Sequence, residues 1–439
     1  MNELFLGVSK KDITPYVGCR LFGYQNDIYS TSVHDNLDAT AFVFRQGSST
    51  AALISITLVC LTEGISDNIR NLISEKTGIP FENITLSCTH THSGPATFCM
   101  ARKVDDGWGD DMEDEYIETV LVPHTVAAAV EAQKNAVPVE MGYETGESYI
   151  GINRRELTAE NKIILGQNPW GPYNPRMTVI SFRTLDGKPY ANMIHFGMHG
   201  TCSGHNTEIT QDWAGVMVRR MEALTGAVSA FFNGPEGDIG PRLTNGRTTG
   251  ICEVKYAEET GGRAAFDAMA VYNKIKRFYT PALTVHSGVL RIPLEKRLPL
   301  DEAEHRHDAL VKKEGKIAAE RAMVATYRDL IESYSTGYVD KEYTEVPQTV
   351  IKLDNVAFLN YPYELFSEIG MRVQKEFADM EILPMSLCNG AIGYFPTEDQ
   401  FVRGGYEVVM FNTLLIQEHV HNADWHLFTE SVRNIKETK

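Results

Sequence analysis

Ile84-Thr85-Leu86-Ser87-Cys88-Thr89-His90-Thr91-His92-Ser93-Gly94-Pro95 is the stretch from which the rest of the chain can be read. Its first five residues form a strand-length run, and Gly94-Pro95 stops the extended backbone. Residues two apart at a strand end point to the same side, so His90 and His92 are expected to face one cleft. Two imidazoles aimed together suit a divalent metal or proton transfer. A pair of hydrogen-bonded loop histidines would give the same pattern. Two other pairs serve as controls. His305-Arg306-His307 lies in a charged stretch of helical character, where a spacing of two swings side chains roughly 200° apart. His419-Val420-His421 reads as part of a terminal helix, and both pairs are expected to be solvated or packing residues.

Working outward, residues 51–58 read as a core strand, and Ile65, Ile69, Leu72 and Ile73 recur at helical spacing until Gly78-Ile79-Pro80. Strand, helix, strand of this length predicts a βαβ unit in a mostly parallel sheet. Sites in such sheets lie beyond the carboxyl ends of strands, where His90 and His92 fall. Residues 4–8 and 39–45 are further strands, and 98–114 form a polar loop long enough to cover a site. A helix is expected over 114–134, with Pro123 kinking or splitting it. Residues 148–175 read as irregular and contain Asn153-Arg154-Arg155. Residues 176–183 and 191–199 alternate like paired strands around Asp186-Gly187-Lys188.

A helix over 212–224 has Asp212 as its N-cap, and a strand over 228–233 runs into Gly234-Pro235-Glu236-Gly237-Asp238-Ile239-Gly240-Pro241-Arg242. Those glycines are a weak phosphate-loop signal and are read as a strained turn beside a site. Helices follow over 254–276 and, as an arm or surface hairpin, near 300–333. Strands near 350–359 and 382–388 bracket a helix starting near Glu364. The fold class is α/β: a single large domain over 1–439, with mixed, partly parallel sheets and flanking helices.

A net charge of −17 with no basic stripe argues against nucleic-acid partners and anionic membranes. The N-terminus lacks the pattern of a signal peptide, and no apolar run approaches the length of a membrane span. Seven cysteines without a CxxC fit a reducing cytoplasm. Cytoplasmic location and no stable membrane anchoring are therefore expected, with a small-molecule partner and an oligomeric state left open. There is no GxSxG, Walker A, HExxH or clean GxGxxG motif.

A hydrolytic zinc site draws three or four ligands from several strand ends. His199 follows a predicted strand and precedes a break, Glu364 follows another, and Tyr394 closes Cys388-Asn389-Gly390-Ala391-Ile392-Gly393-Tyr394. Singly, each has a plainer explanation: a strand cap, a helix-dipole partner, a half-buried core phenol. His195, on the same strand face as His199, is the rival ligand.

Together these segments resemble the catalytic domain of the neutral/alkaline non-lysosomal ceramidases, over about residues 6–409. Gly7-Val8-Ser9-Lys10-Lys11-Asp12-Ile13-Thr14 is similar to the family's G-x-x-x-x-D-I-T opening, and 87–95 match S-x-T-H-T-H-S-G-P, the most specific element. Phe196-Gly197-Met198-His199, Pro362-Tyr363-Glu364-Leu365 and 387–394 resemble the strand ending in a zinc histidine, P-G-E-F and L-C-N-x-Y-x-x-Y. The resemblance implies zinc held by His90, His199, Glu364 and Tyr394, with His92 beside the attacking water and Arg154 as an active-site arginine. Two departures stand out. Where the family has N-G-x-x-G-D-V-S-P-N, with a serine needed for activity, this chain has Gly240, leaving Asp238 or water to do that work. The chain is also expected to lack the family's C-terminal β-sandwich domain.

The expected function is zinc-dependent hydrolysis of an amide in an N-acyl substrate smaller and more polar than ceramide, with Arg242 and His34 as substrate contacts. The competing readings are a metal-dependent esterase or phosphoesterase and a non-catalytic homologue that lost the serine.

Overall fold

The computed structural model describes residues 3–24, 28–98, 112–316, 318–413 and 415–438. The expected cover over 98–114 therefore falls mostly outside the described residues. Eight strands pair in the order Val228–Asn233, Pro189–Phe196, Arg176–Thr184, Val137–Glu147, Leu4–Asp12, Asp38–Gln46, Ser49–Ile56, Ile84–Cys88. The predicted βαβ unit is present: Ser49–Ile56 and Ile84–Cys88 run parallel, joined through the helix Glu63–Thr77. That helix is capped by Thr62, whose hydroxyl accepts from Ile65 N, and ends at Gly78 in the left-handed region.

The sheet is nevertheless mixed and mostly antiparallel, which corrects the expectation of a mostly parallel one. Only the two outermost pairs are parallel; those between them are antiparallel. Short turns, such as Gly47-Ser48 between Gln46 and Ser49 with Gly47 at φ 59°, leave no room for a crossover helix.

The sheet curls until its two edges meet. Ser55 Oγ donates to Phe231 O at 2.6 Å, and Asn233 Nδ2 to Thr89 O at 3.4 Å. Residues after the strand Glu381–Met385 stitch the seam: Ser386 N donates to Asn233 O at 3.0 Å and Asn389 N to Leu86 O at 3.0 Å. The carboxyl ends of both parallel pairs therefore open on one place, and His90 and His199 lie just beyond them.

Side-chain alternation supports the curl. Ala230 and Phe232 point inward with Phe42, Phe44 and Met193, against a second sheet of Leu283–Pro293, Tyr343–Leu353, Val356–Asn360 and Glu381–Met385. Phe231 points outward onto Trp213, ring centroids 4.9 Å apart, beneath the helices Asp212–Thr225 and Lys255–Tyr272. Glu63–Thr77 and Val122–Lys134 cover the other half of the outer face. His195 points inward too: its Nε2 lies 2.7 Å from Pro384 O, and burial lowers its pKa to about 4.

Several local readings change. Residues 148–175 contain the strands Gly151–Leu157 and Ile163–Asn168, which join Ile239–Pro241 in a three-stranded sheet. Their polar residues hid the period. Gln211, not Asp212, stands at the helix N-cap; the Asp212 carboxylate accepts from Cys202 N and Ser203 N. A π-turn over Ile117–Leu121 precedes Pro123, so the proline sits in the first turn of Val122–Lys134. The charged segment resolves into Leu300–Lys312 and Ala318–Ser333. His419 precedes the last helix, Ala423–Glu437, rather than lying on it.

Buried His419 stacks on Phe411 at 4.6 Å, with Nδ1 3.2 Å from Asn412 Oδ1, and burial lowers its pKa to about 4. The unfolded chain takes this proton near pH 6.5. Stability from the neutral ring is therefore intact above pH 6.5 and is lost as pH falls through 6.5 toward 4, at about 1.4 kcal/mol per pH unit. His419→Asn, which keeps a donor for Asn412, should lower the urea midpoint at pH 7 by loss of stacking. It should also flatten the fall in stability between pH 6.5 and 4 by about one proton. An unchanged slope would show that the ring is not the titrating group.

Candidate metal centre

His90 lies two residues past its strand, at φ 67°, in the left-handed region that costs a non-glycine residue about 1 kcal/mol or more. Strand alternation is thus not what aims the histidines. Main-chain hydrogen bonds do so instead. His90 N donates to Leu58 O at 2.9 Å, Gly200 N to His90 O at 3.2 Å and His92 N to Gly200 O at 3.0 Å. This short parallel bridge lays His199 beside His90.

Each imidazole is oriented by its inner nitrogen. His90 Nδ1 lies 2.9 Å from Val59 O; His199 Nδ1 lies 2.9 Å from Glu236 O and 3.1 Å from Ile239 O. Carbonyls only accept, so both Nδ1 atoms carry the proton and both Nε2 lone pairs face inward. Burial, with Arg154 and His90 nearby, lowers the His199 pKa to about 3, which keeps the ring neutral.

Glu364 arrives from the other sheet. It does not open a helix, as the sequence reading expected. The helix starts at Ser367, and Glu364–Leu365 forms a two-residue parallel pair with Tyr394–Phe395, Glu364 opposite Tyr394. Glu364 Oε2 lies 3.1 Å from His199 Nε2 and 3.3 Å from His90 Nε2; the Tyr394 hydroxyl lies 3.4 Å from His199 Nε2. Four donors at about 2.0–2.1 Å around a tetrahedral ion stand about 3.3 Å apart, so these atoms fit such an ion.

Around this set, His92 Nε2 lies 3.2 Å from His90 Nε2, while its Nδ1 has no hydrogen-bond partner. Burial and the rings of His90 and His199 hold its pKa well below 6.5. Arg154 donates from Nη2 to the Tyr394 hydroxyl at 3.0 Å and from Nε to Glu407 Oε1 at 2.9 Å. Arg155 Nη1 takes Glu407 Oε2 at 2.6 Å. Burial, then Glu364, push the Tyr394 phenol well above 10.

The sequence reading thus placed His90, His92, His199, Glu364, Tyr394 and Arg154 in one spot, and the structure brings all six together. Asp238 stands behind them, accepting from Ser367 N at 2.7 Å and Asn153 Nδ2 at 2.8 Å. Arg242 and His34 are not in the cluster. Arg242 lines a separate cavity of about 780 Å³ with Tyr149, Arg220 and Phe266, and His34 Nε2 lies 3.3 Å from Glu258 Oε1. Sequence reasoning missed Glu407, which no motif marks, and Glu236, which lay in view in the glycine-rich turn. That turn is not strained: Gly234, Gly237 and Gly240 are absent from the positive-φ residues. They serve close approach, since a Cβ at 237 would collide with the Glu364 carbonyl and one at 240 with Thr248.

The sequence matches the family described as neutral/alkaline non-lysosomal ceramidase, N-terminal, over residues 4–274. It is 27% identical over 251 residues to neutral ceramidase B of Dictyostelium discoideum, covering 52% of this chain and 34% of that protein. It is 23% identical over 293 residues to a neutral ceramidase of Mycobacterium tuberculosis, covering 58% of this chain and 45% of that one. The match thus spans less than half the length of these relatives. In fold, it superimposes on the crystal structure of a neutral ceramidase from Pseudomonas aeruginosa with a TM-score of 0.74 at 19% identity, covering 99% of this chain and 74% of that one.

The contact at 240 makes a prediction about the departure from the family motif. Gly240→Ser must displace Thr248 and should lower stability by about 1–3 kcal/mol, a Tm loss of a few degrees. Adding Thr248→Gly should recover part of it. A single variant as stable as the parent would mean that Thr248 moves aside freely.

Proposed function

The chain belongs to the neutral/alkaline non-lysosomal ceramidase family, and on that premise we propose that it is a zinc-dependent hydrolase cleaving the amide of an N-acyl substrate other than ceramide. The observation that carries the reading is the meeting of His90 Nε2 and His199 Nε2 within 3.3 Å of Glu364 Oε2, from three distant segments. His90, His199, Glu364 and Tyr394 would hold the ion. When bound, zinc supplies a Lewis acid for the amide carbonyl and lowers the pKa of water to about 7.

The rest is done by the chain's own side chains. His92, neutral because burial disfavours its charged form, has an unshared lone pair to take a proton from water and return it to the leaving amine. Arg154, its charge fixed by Glu407, and the Tyr394 phenol present donors to the developing oxyanion. Asp238 acts as a positioning residue, its main-chain carbonyl accepting from Arg154 N at 2.8 Å. Gly240 brings no hydroxyl where the family motif has a serine, its backbone being paired with Ile152, and this motivates a substrate other than ceramide. Arg154 is preferred over Arg242 and His34 for reading a substrate anion, because it alone of the three touches the cluster.

Metal content and amide turnover over a series of N-acyl substrates test the reading. The wild type should carry zinc and release amine. His90→Ala should lose the bound zinc. His92→Ala should keep it while kcat falls about a hundredfold or more. A chain that takes up no divalent metal, or turns over no amide, would overturn the proposal.

A further inference from the structure

The turn after Val228–Asn233 carries a carboxylate outside the set just described. Glu236 is fully buried, and neither of its oxygens has a partner at full hydrogen-bond geometry, with the Ser386 hydroxyl as a neighbouring donor. No salt bridge reaches it among the described residues. An oxygen of Glu236 lies within 4.8 Å of a His90 nitrogen and a Glu364 oxygen. Its backbone is pinned: the Glu236 carbonyl accepts from Ile239 N at 2.7 Å and faces His199 Nδ1 at 2.9 Å, and Gly237 N donates to Leu365 O at 2.9 Å. With the Glu364 carbonyl pressed against Gly237, the turn has no room to swing the side chain out to water.

A buried carboxylate with no cationic partner and a single hydroxyl beside it is costly, and here a second one, Glu364, sits next to it. A divalent cation reaching both would satisfy each at once.

We infer that Glu236 is a further ligand of the divalent ion, giving two imidazoles, two carboxylates and the Tyr394 phenol around it. This rests on the proposed metal site and extends it. A second carboxylate makes the set richer in hard oxygen donors and widens its tolerance toward manganese-like ions.

The test uses the full chain, stripped of metal and titrated with Co²⁺ by calorimetry and visible absorption. The wild type should take one ion. Glu236→Gln should weaken binding tenfold or more, change the d–d spectrum and shrink the rise in Tm on metal addition. Its metal-free Tm should equal or exceed that of the wild type, since an unpartnered carboxylate is gone. Equal affinity with an unchanged spectrum would overturn the inference. So would a Glu236→Gln chain that fails to fold without metal, because that assigns the carboxylate to the scaffold, or two ions in the wild type falling to one in the variant. If His90→Ala and Glu364→Gln abolish binding while Glu236→Gln does not, the inference alone falls. If the wild type binds no Co²⁺, the metal reading falls as well.

Discussion

The site depends on a seam. An eight-stranded sheet left flat would put Ile84–Cys88 and Val228–Asn233 at opposite ends, with six strands between them. Adjacent strands stand about 4.8 Å apart, so edges seven steps apart in a flat sheet would be separated by about 34 Å. Curling brings them into hydrogen-bond contact through Ser55 and Asn233. Sheets twist in one sense, and the core between the two sheets, with Phe42, Phe182, Phe232 and Phe358, holds the curved form closed. The segment Ser386–Asn389 then ties both edges together. His90, His199 and Glu364 belong to the three pieces that this seam joins. The ligand set is therefore assembled by tertiary packing, and no single segment contains it.

This division explains what could be read from the sequence. The apolar run of 84–88 and the break at Gly94-Pro95 mark a strand end by local chemistry alone, and the helix periodicity of 65–73 predicts a crossover that is present. Glu364 and Tyr394 are harder. They face each other across a pair of two-residue strands, too short to leave any period, so only the likeness to a family could couple them. Arg154 lay in a stretch read as irregular because its strand is polar and buried by ion pairing rather than by apolar packing. Its partner Glu407 stands 253 residues away, where nothing local marks it. Arg242 misled for the opposite reason. It closes a motif that reaches the site, but two residues past Gly240 the strand has turned the side chain toward a different cavity.

The turn over 234–242 braces three segments of the site at once. Gly234 N donates to Phe196 O, the Glu236 and Ile239 carbonyls face His199 Nδ1, Gly237 N binds Leu365 O, and Asp238 O accepts from Arg154 N. One short segment thus touches the supports of His199, Glu364 and Arg154. Contact this close needs residues without side chains where backbones meet, which is why the glycines are there although none is in the left-handed region. It also couples position 240 to position 236. A serine at 240 would press on Thr248, whose carbonyl accepts from the Thr201 hydroxyl at 2.7 Å two residues beyond His199. The missing hydroxyl at 240 and the carboxylate at 236 therefore belong to the same rigid frame. A substitution at either position therefore reaches the supports of His199, Glu364 and Arg154 through main-chain contacts, along a path that no local periodicity marks.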